Sequence, residues 1–171
     1  MKKGCFIINF WSGNRTESPA NSGFGLRLLK YIWKTATEVE GEYPFDTIIV
    51  NNEGGTEECN KMLSEINGEK TKNGKCIVLQ KENRGFSFAA YNYAFEKFRN
   101  DYYYWVFNED DVLFDVKNWY GDLVDQYEKI GKTNTWIATC GIGYKGRPNE
   151  HAHGGIGLTS IEELNTMHLP F

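Results

Sequence analysis

Four consecutive polar residues, Asn108, Glu109, Asp110 and Asp111, follow six aromatic and aliphatic residues at 102–107. Carboxylates this close together repel one another unless a cation lies among them, and hard divalent cations prefer oxygen ligands. The apolar run predicts a strand buried on both faces, whose end places the acidic cluster at a sheet edge. We therefore expect a divalent-metal site here. The alternative is a solvated loop that leads into the next helix.

The elements that position this cluster alternate regularly along the chain. Apolar runs predict strands at 4–10, 45–50, 76–79 and 102–107, with a further strand at 135–140. Apolar residues at helical spacing predict helices within 23–40, 56–66, 85–98 and 119–130, and a short helical pattern covers 160–167. This order indicates an α/β fold with a mostly parallel, doubly wound sheet flanked by helices.

Three polar segments follow strands of this predicted sheet, at 11–22, 51–56 and 108–111. Ligands of doubly wound sheets bind beyond the carboxyl ends of the strands. Amides, glycines and carboxylates at one sheet edge are the groups that hold a nucleotide together with a metal ion. The sequence therefore predicts a nucleotide-plus-metal site at this edge.

The composition narrows the range of partners and locations. The 171 residues suit a single domain, and 19 basic against 23 acidic residues give a formal charge of −4 without a basic run. We therefore expect no nucleic-acid partner, since binding to a phosphate backbone needs a concentrated positive field. The four cysteines form no C-x-x-C pair, and no apolar run is long enough to span a membrane, so we expect a cytoplasmic protein.

These segments, in this order, resemble the nucleotide-sugar half of a GT-A-fold glycosyltransferase, in particular the large family two. V-N-N-E-G at 50–54 stands where that family has a V-D-N-x-S turn, and N-E-D at 108–110 matches its D-x-D motif. N-R-G at 83–85, with alanines and an asparagine following, matches its N-x-G helix. H-G-G-I-G at 153–157 resembles its glycine-rich stretch. The similarity spans most of the chain.

The resemblance implies a GT-A-like fold and an inverting transfer of a sugar, from a UDP- or dTDP-sugar to a glycan or lipid-linked acceptor. Asp110 and Asp111 would bind Mn²⁺ or Mg²⁺ at the donor diphosphate, and Gly154 and Gly155 would lie under the donor sugar and acceptor. Asn108 would face the ribose. The implied donor-binding residues are Asn51, Asn52, Glu53, Asn83, Arg84, Gly85, Asn92, Asn108 and Glu109.

The chain departs from the family pattern in two respects. Asn51 and Asn108 replace aspartates, which keeps the side-chain shape and weakens the charge. Glu162 and Glu163 are the only carboxylates after the glycine-rich stretch, and we expect both to be solvated, so the catalytic base is expected beyond Phe171. The expectation is thus a single domain over 1–171, truncated at its C-terminal part. Its nucleotide-sugar half covers about 1–115, its glycine-rich region about 134–171, and any peripheral membrane association would use missing segments.

Two other functions remain open. A sugar-phosphate nucleotidyltransferase would need a glycine-rich, basic loop after the first strand, and W-S-G-N-R at 11–15 matches that poorly. A non-catalytic nucleotide- or carbohydrate-binding module could stack Trp11 or Trp136 on sugar rings. Metal-dependent hydrolysis of the donor separates an enzyme from such a module.

Overall fold

A six-stranded sheet forms the centre of the protein, in a computed structural model that describes residues 2–11, 24–130, 137–138 and 157–166. The strands are β1 (Gly4–Phe10), β2 (Phe45–Asn52), β3 (Cys76–Lys81), β4 (Tyr104–Glu109), β5 (Ile137–Ala138) and β6 (Gly157–Ser160). The helices are α1 (Phe24–Glu38), α2 (Glu57–Ile66), α3 (Phe86–Phe98), α4 (Trp119–Ile130) and α5 (Ile161–Thr166). The strand order is β3-β2-β1-β4-β6-β5.

The four strands β3, β2, β1 and β4 are parallel, and β6 pairs antiparallel with both β4 and β5. The register aligns Asn9 of β1 with Glu109 of β4, and Phe10 of β1 with Asn51 of β2. Because parallel strands end at the same edge, the polar residues that end or follow β2 and β4 lie on either side of the end of β1.

Both faces of the sheet are covered by helices, so the central strands are apolar at successive positions. Ile8, Ile49 and Val106 face one core cluster, which α1, α2 and α4 complete. Their strand neighbours face a second cluster, which is completed by α3 and α5. The predicted α/β doubly wound sheet is therefore confirmed. None of the helices in the described ranges is long and apolar enough to cross a bilayer.

Several element boundaries differ from the prediction. Strands β2 and β3 continue to Asn52 and Lys81, because their polar last residues still pair within the sheet. The predicted strand at 135–140 appears as β5, while its other positions lie outside the described residues. Strand β6 was not predicted, since G-L-T-S has neither the length nor the alternation that indicates a strand.

Candidate active site

The turn that follows β4 is shaped by Asn108. Its Nδ2 donates hydrogen bonds to the carbonyl oxygens of Glu109 at 2.8 Å and Val112 at 2.7 Å. Its Oδ1 is buried and has no hydrogen-bond partner among the described residues. An aspartate at this position would turn a carboxylate oxygen toward two carbonyl oxygens with no proton between them. The asparagine therefore fits the turn as built.

Asp110 connects this turn to the end of β1. Its carboxylate Oδ2 accepts a hydrogen bond from the backbone N–H of Trp11 at 3.0 Å, and the residue is only 4% exposed. The next residue, Asp111, is exposed. The two adjacent aspartates thus differ in environment, since one is anchored to the sheet edge and the other is open to solvent.

Glu109 is held by a chain of hydrogen bonds that crosses three strand ends. Ser87 Oγ, in the first turn of α3, donates to Glu109 Oε1 at 3.0 Å. Asn9 Nδ2 donates to Ser87 Oγ at 3.1 Å, and Asn52 Nδ2 donates to Asn9 Oδ1 at 2.7 Å. Asn52 Nδ2 also donates to the carbonyl oxygen of Phe10 at 3.0 Å. These hydrogen bonds therefore link β2, β1, α3 and β4.

Tyr91 of α3 lies beside this chain and is 2% exposed. Burial and the nearby Glu109 carboxylate raise the pKa of the Tyr91 hydroxyl, which also hydrogen-bonds with Ser87. The phenol therefore keeps its proton at neutral pH. The carboxylate end of the chain is thus bordered by a neutral, buried aromatic side chain.

Asn51 and Asn52 point to opposite faces of the sheet. Asn51 Nδ2 lies 2.7 Å from Gln80 Oε1 and 3.3 Å from Asn60 Oδ1, on the side covered by α2. Asn51 Oδ1 is buried without a hydrogen-bond partner among the described residues. The result is a neutral amide cluster at the ends of β2 and β3, while Asn52 serves the other face.

The N-R-G turn at 83–85 connects β3 to α3. Gly85 has a φ of +81°, and a Cβ there would lie 2.6 Å from Ala89 Cβ, so the turn needs glycine. Lys81 Nζ donates to the carbonyl oxygens of Glu82 at 2.7 Å and Arg84 at 2.5 Å, and partial burial lowers the pKa of this ammonium. Lys81, at the end of β3, therefore holds the backbone of the N-R-G turn through two carbonyl oxygens.

The described structure brings most of the implied donor-site residues to one sheet edge. Asn51, Asn52, Asn108, Glu109 and Asp110 end or follow β2 and β4, and the N-R-G turn follows β3. Asn92 is the exception, because six residues along α3 place it about 9 Å from the helix start. The positions of Gly154, Gly155 and Trp136 lie outside the described residues.

Within the described part of the chain, no three His, Cys, Asp or Glu side chains are grouped as a metal site. A closed protein cage for a metal is therefore not formed by these residues. Mg²⁺ is commonly held by one or two carboxylates together with substrate phosphates. One anchored and one open aspartate, at 110 and 111, fit a metal ion shared with a diphosphate.

The expectation that Glu162 and Glu163 are both solvated is wrong for Glu163. Glu162 is exposed, but Glu163 is buried, because α5 packs against the sheet through its neighbour Leu164. The backbone N–H of Glu163 donates a hydrogen bond to Ser160 Oγ. Asn9 and Ser87 also lie at the sheet edge of this site, and neither was predicted from the sequence as a site residue. The signal for Asn9 was present, since it is a polar residue inside an apolar run, whereas nothing in the spacing indicated Ser87.

The sheet order, the helices on both faces and the acidic turn after β4 define an α/β protein of the GT-A type. The sequence profile of glycosyl transferase family 2 matches residues 26–169. The chain therefore belongs to glycosyl transferase family 2, as its resemblance predicted. No curated protein and no solved structure gave a significant match.

Proposed function

We propose that this glycosyltransferase moves a sugar from a UDP- or dTDP-sugar to a glycan or lipid-linked acceptor, with inversion at the transferred carbon. Mn²⁺ or Mg²⁺ would assist departure of the nucleoside diphosphate. The observation that carries the donor site is the contact between Trp11 N–H and the Asp110 carboxylate, 3.0 Å apart. It places an acidic turn directly against the end of the neighbouring strand, where doubly wound sheets bind ligands.

The amide groups of this edge suit a nucleoside. Amide side chains offer both donors and acceptors, as the edges of nucleobases do. Under this proposal the cluster of Asn51, Asn60 and Gln80 lies at the base, with Arg84 and Glu53 at its exposed rim. Asn108 turns both of its N–H groups into its own turn, and its Oδ1 is buried. Under this proposal Asn108 therefore shapes the turn that faces the ribose.

The carboxylates suit the diphosphate end of the donor. Asp110 and Asp111 would hold the metal ion, which supplies Lewis-acid neutralisation of charge on the departing diphosphate. The fixed strand ends orient the donor relative to the acceptor. Glu163 is buried in α5, so the group that takes the acceptor proton is assigned outside the described residues.

Calorimetric titration with UDP in the presence of Mn²⁺, repeated with EDTA, tests the donor site, and GDP and dTDP serve as comparisons. The matched variant is Asp110→Asn, which keeps an acceptor for Trp11 N–H and removes the negative charge. We expect metal-dependent binding that falls by at least about 10-fold in this variant. Absence of nucleotide binding, with or without metal, would overturn the proposed donor site.

The neutral amides at 51 and 108 also suit a binding module without catalysis. Metal-dependent release of UDP from a UDP-sugar in water separates the two functions, because a pure binding module does not cleave the donor. A panel of UDP- and dTDP-sugars should show slow hydrolysis of at least one donor. Tight binding without any hydrolysis or transfer would favour the module.

A further inference from the structure

Asn9 and Ser87 connect the strand ends of the donor site, although neither belongs to a motif that the family resemblance indicated. We propose that these two side chains are positioning residues, which hold the Glu109 carboxylate on the α3 side of the sheet and away from the metal and diphosphate. The inference rests on the proposed donor site and assigns Glu109 a supporting place beside it.

The first step of the argument is the separation of two neighbouring carboxylates. Glu109 Oε1 is bound by Ser87 Oγ at 3.0 Å, whereas Asp110 Oδ2 is bound by Trp11 N–H at 3.0 Å. Glu109 is the last residue of β4, whereas Asp110 is the first residue of the turn that follows it. The two negative charges are thereby drawn toward different partners, although their residues are adjacent in sequence.

The second step is the direction of the hydrogen bonds. An ionised carboxylate only accepts, so Ser87 must give its single proton to Glu109. Its oxygen then receives the bond from Asn9 Nδ2, and Asn9 Oδ1 receives the bond from Asn52 Nδ2. The carbonyl of Phe10 can only accept, which fixes the orientation of the Asn52 amide. Every donor in the chain therefore points toward Glu109, and such chains polarise cooperatively.

The third step is what the carboxylate would do without this chain. Glutamate has a flexible side chain. A free carboxylate at the metal ion would repel the diphosphate and would occupy a coordination position that a phosphate oxygen needs, and both effects weaken nucleotide binding. Glu109 is half-buried and the nearby Tyr91 is 2% exposed, so this side of the sheet edge offers little solvation for a displaced charge. Loss of the Ser87 hydroxyl should therefore alter metal-dependent nucleotide binding through the charge of Glu109.

A double-mutant cycle tests this inference by calorimetry with UDP and Mn²⁺. The proteins are wild type, Ser87→Ala, Glu109→Gln and the double variant. Glu109→Gln keeps an oxygen that accepts from Ser87 but removes the charge. We expect Ser87→Ala to weaken binding about 10-fold in the wild-type background and by less than about 2-fold in the Glu109→Gln background. Asn9→Ala should act in the same direction with a smaller effect.

Two further variants separate positioning from general stability. Ser87→Thr restores the hydroxyl and should return the affinity to within about 3-fold of wild type. Thr71→Ala removes a buried hydroxyl that accepts from Gly74 N–H at 3.0 Å, in the loop at the opposite edge of the sheet. It should lower the melting temperature without changing the UDP affinity.

Each outcome has a distinct meaning. The positioning inference would be overturned, with the donor site left in place, if Ser87→Ala does not change UDP binding. Equal effects of Ser87→Ala in the wild-type and Glu109→Gln backgrounds would overturn it as well. A loss that Ser87→Thr does not rescue would also overturn it. Wild-type protein that binds no nucleotide would remove both the donor site and this inference.

Discussion

The hydroxyl of Tyr102 donates a hydrogen bond to Asp46 Oδ2 at 2.7 Å, at the sheet edge opposite the candidate site. Lys3 Nζ lies 2.6 Å from the same oxygen, and Lys75 N–H donates to Asp46 Oδ1 at 3.1 Å. Asp46 is 2% exposed, so this charge is stabilised by three donors from three parts of the chain. It ties the beginnings of β1, β2, β3 and β4 together.

Asp46→Ala should lower the free energy of unfolding by about 3 kcal/mol, because it leaves buried donors without an acceptor. Lys3→Met should lower it by about 1 kcal/mol, since the lysine is half-exposed and its contribution is screened. Urea denaturation of both variants measures these changes. A loss below about 1 kcal/mol for Asp46→Ala would contradict the structural importance of this cluster.

Gly85→Ala should destabilise the protein and weaken UDP binding together. The φ of +81° strains any side chain, and the new methyl group would meet Ala89 Cβ at 2.6 Å. Gly68→Ala is the matched control, because its φ is +88° but nothing lies within 4 Å of the added Cβ. We expect about 1 kcal/mol of destabilisation for Gly68→Ala and more for Gly85→Ala. Equal destabilisation would show that the Ala89 contact has no effect.

Asn108→Asp restores the residue that the family usually has, yet it should harm this protein. The new carboxylate would face the carbonyl oxygens of Glu109 and Val112, which now accept from the amide. We expect the free energy of unfolding to fall by about 2 kcal/mol, without a gain in affinity for UDP and Mn²⁺. Tighter metal-dependent binding by this variant would instead identify Asn108 as a degenerate replacement.

Stability should fall as the pH rises above about 9, because of buried thiols. Burial raises the pKa of Cys76 from 9.0 to about 12, and burial also raises the pKa of Cys5. Above pH 9 the unfolded chain releases these protons and the folded chain retains them, so the free energy of unfolding decreases. Between about pH 8 and pH 10, Cys76 alone should account for about 1.4 kcal/mol.

The measurement for this pH effect is urea denaturation at several pH values. Cys76→Ala should make the dependence on pH shallower, since Cys5 remains. Tyrosines of the unfolded chain have a pKa of about 10 and are half ionised at the upper limit, so buried tyrosines with a raised pKa add to the fall there, and the comparison with Cys76→Ala isolates the thiol. A stability that does not change from pH 8 to pH 10 would contradict the burial of both thiols.

The parallel part of the fold followed from the sequence because its strands are covered on both faces. A strand such as 45–50 is stable where both of its faces are covered, as in a doubly wound sheet. The order and spacing of the strands and helices were therefore sufficient to predict this fold. The short elements were harder. Strand β6 has four residues, and α5 has six, too few for periodicity to show that Glu163 faces inward.

The sequence predicted which strand ends share a sheet edge, but it did not predict the side-chain contacts made there. Parallel strands end at one edge, so the strand ends at 51 and 108 were expected there, and in the structure they lie on either side of the end of β1. The link between Asn9 and Ser87 spans 78 residues of sequence, and it depends on where the first turn of α3 lies above β1. No local sequence pattern predicts the position of α3 above β1. The hydrogen bonds that hold Glu109 could therefore be seen only in the structure.

Because β6 runs antiparallel to β4, its first residue and not its last lies at the edge that holds the candidate site. Gly157 pairs with Phe107, near the carboxyl end of β4, and Ser160 pairs with Tyr104 at its beginning. A parallel strand would have brought Ser160 to that end. The antiparallel strand brings Gly157, the last residue of the H-G-G-I-G sequence, instead. The same edge of the sheet therefore holds the last residues of β1, β2, β3 and β4 and the first residue of β6.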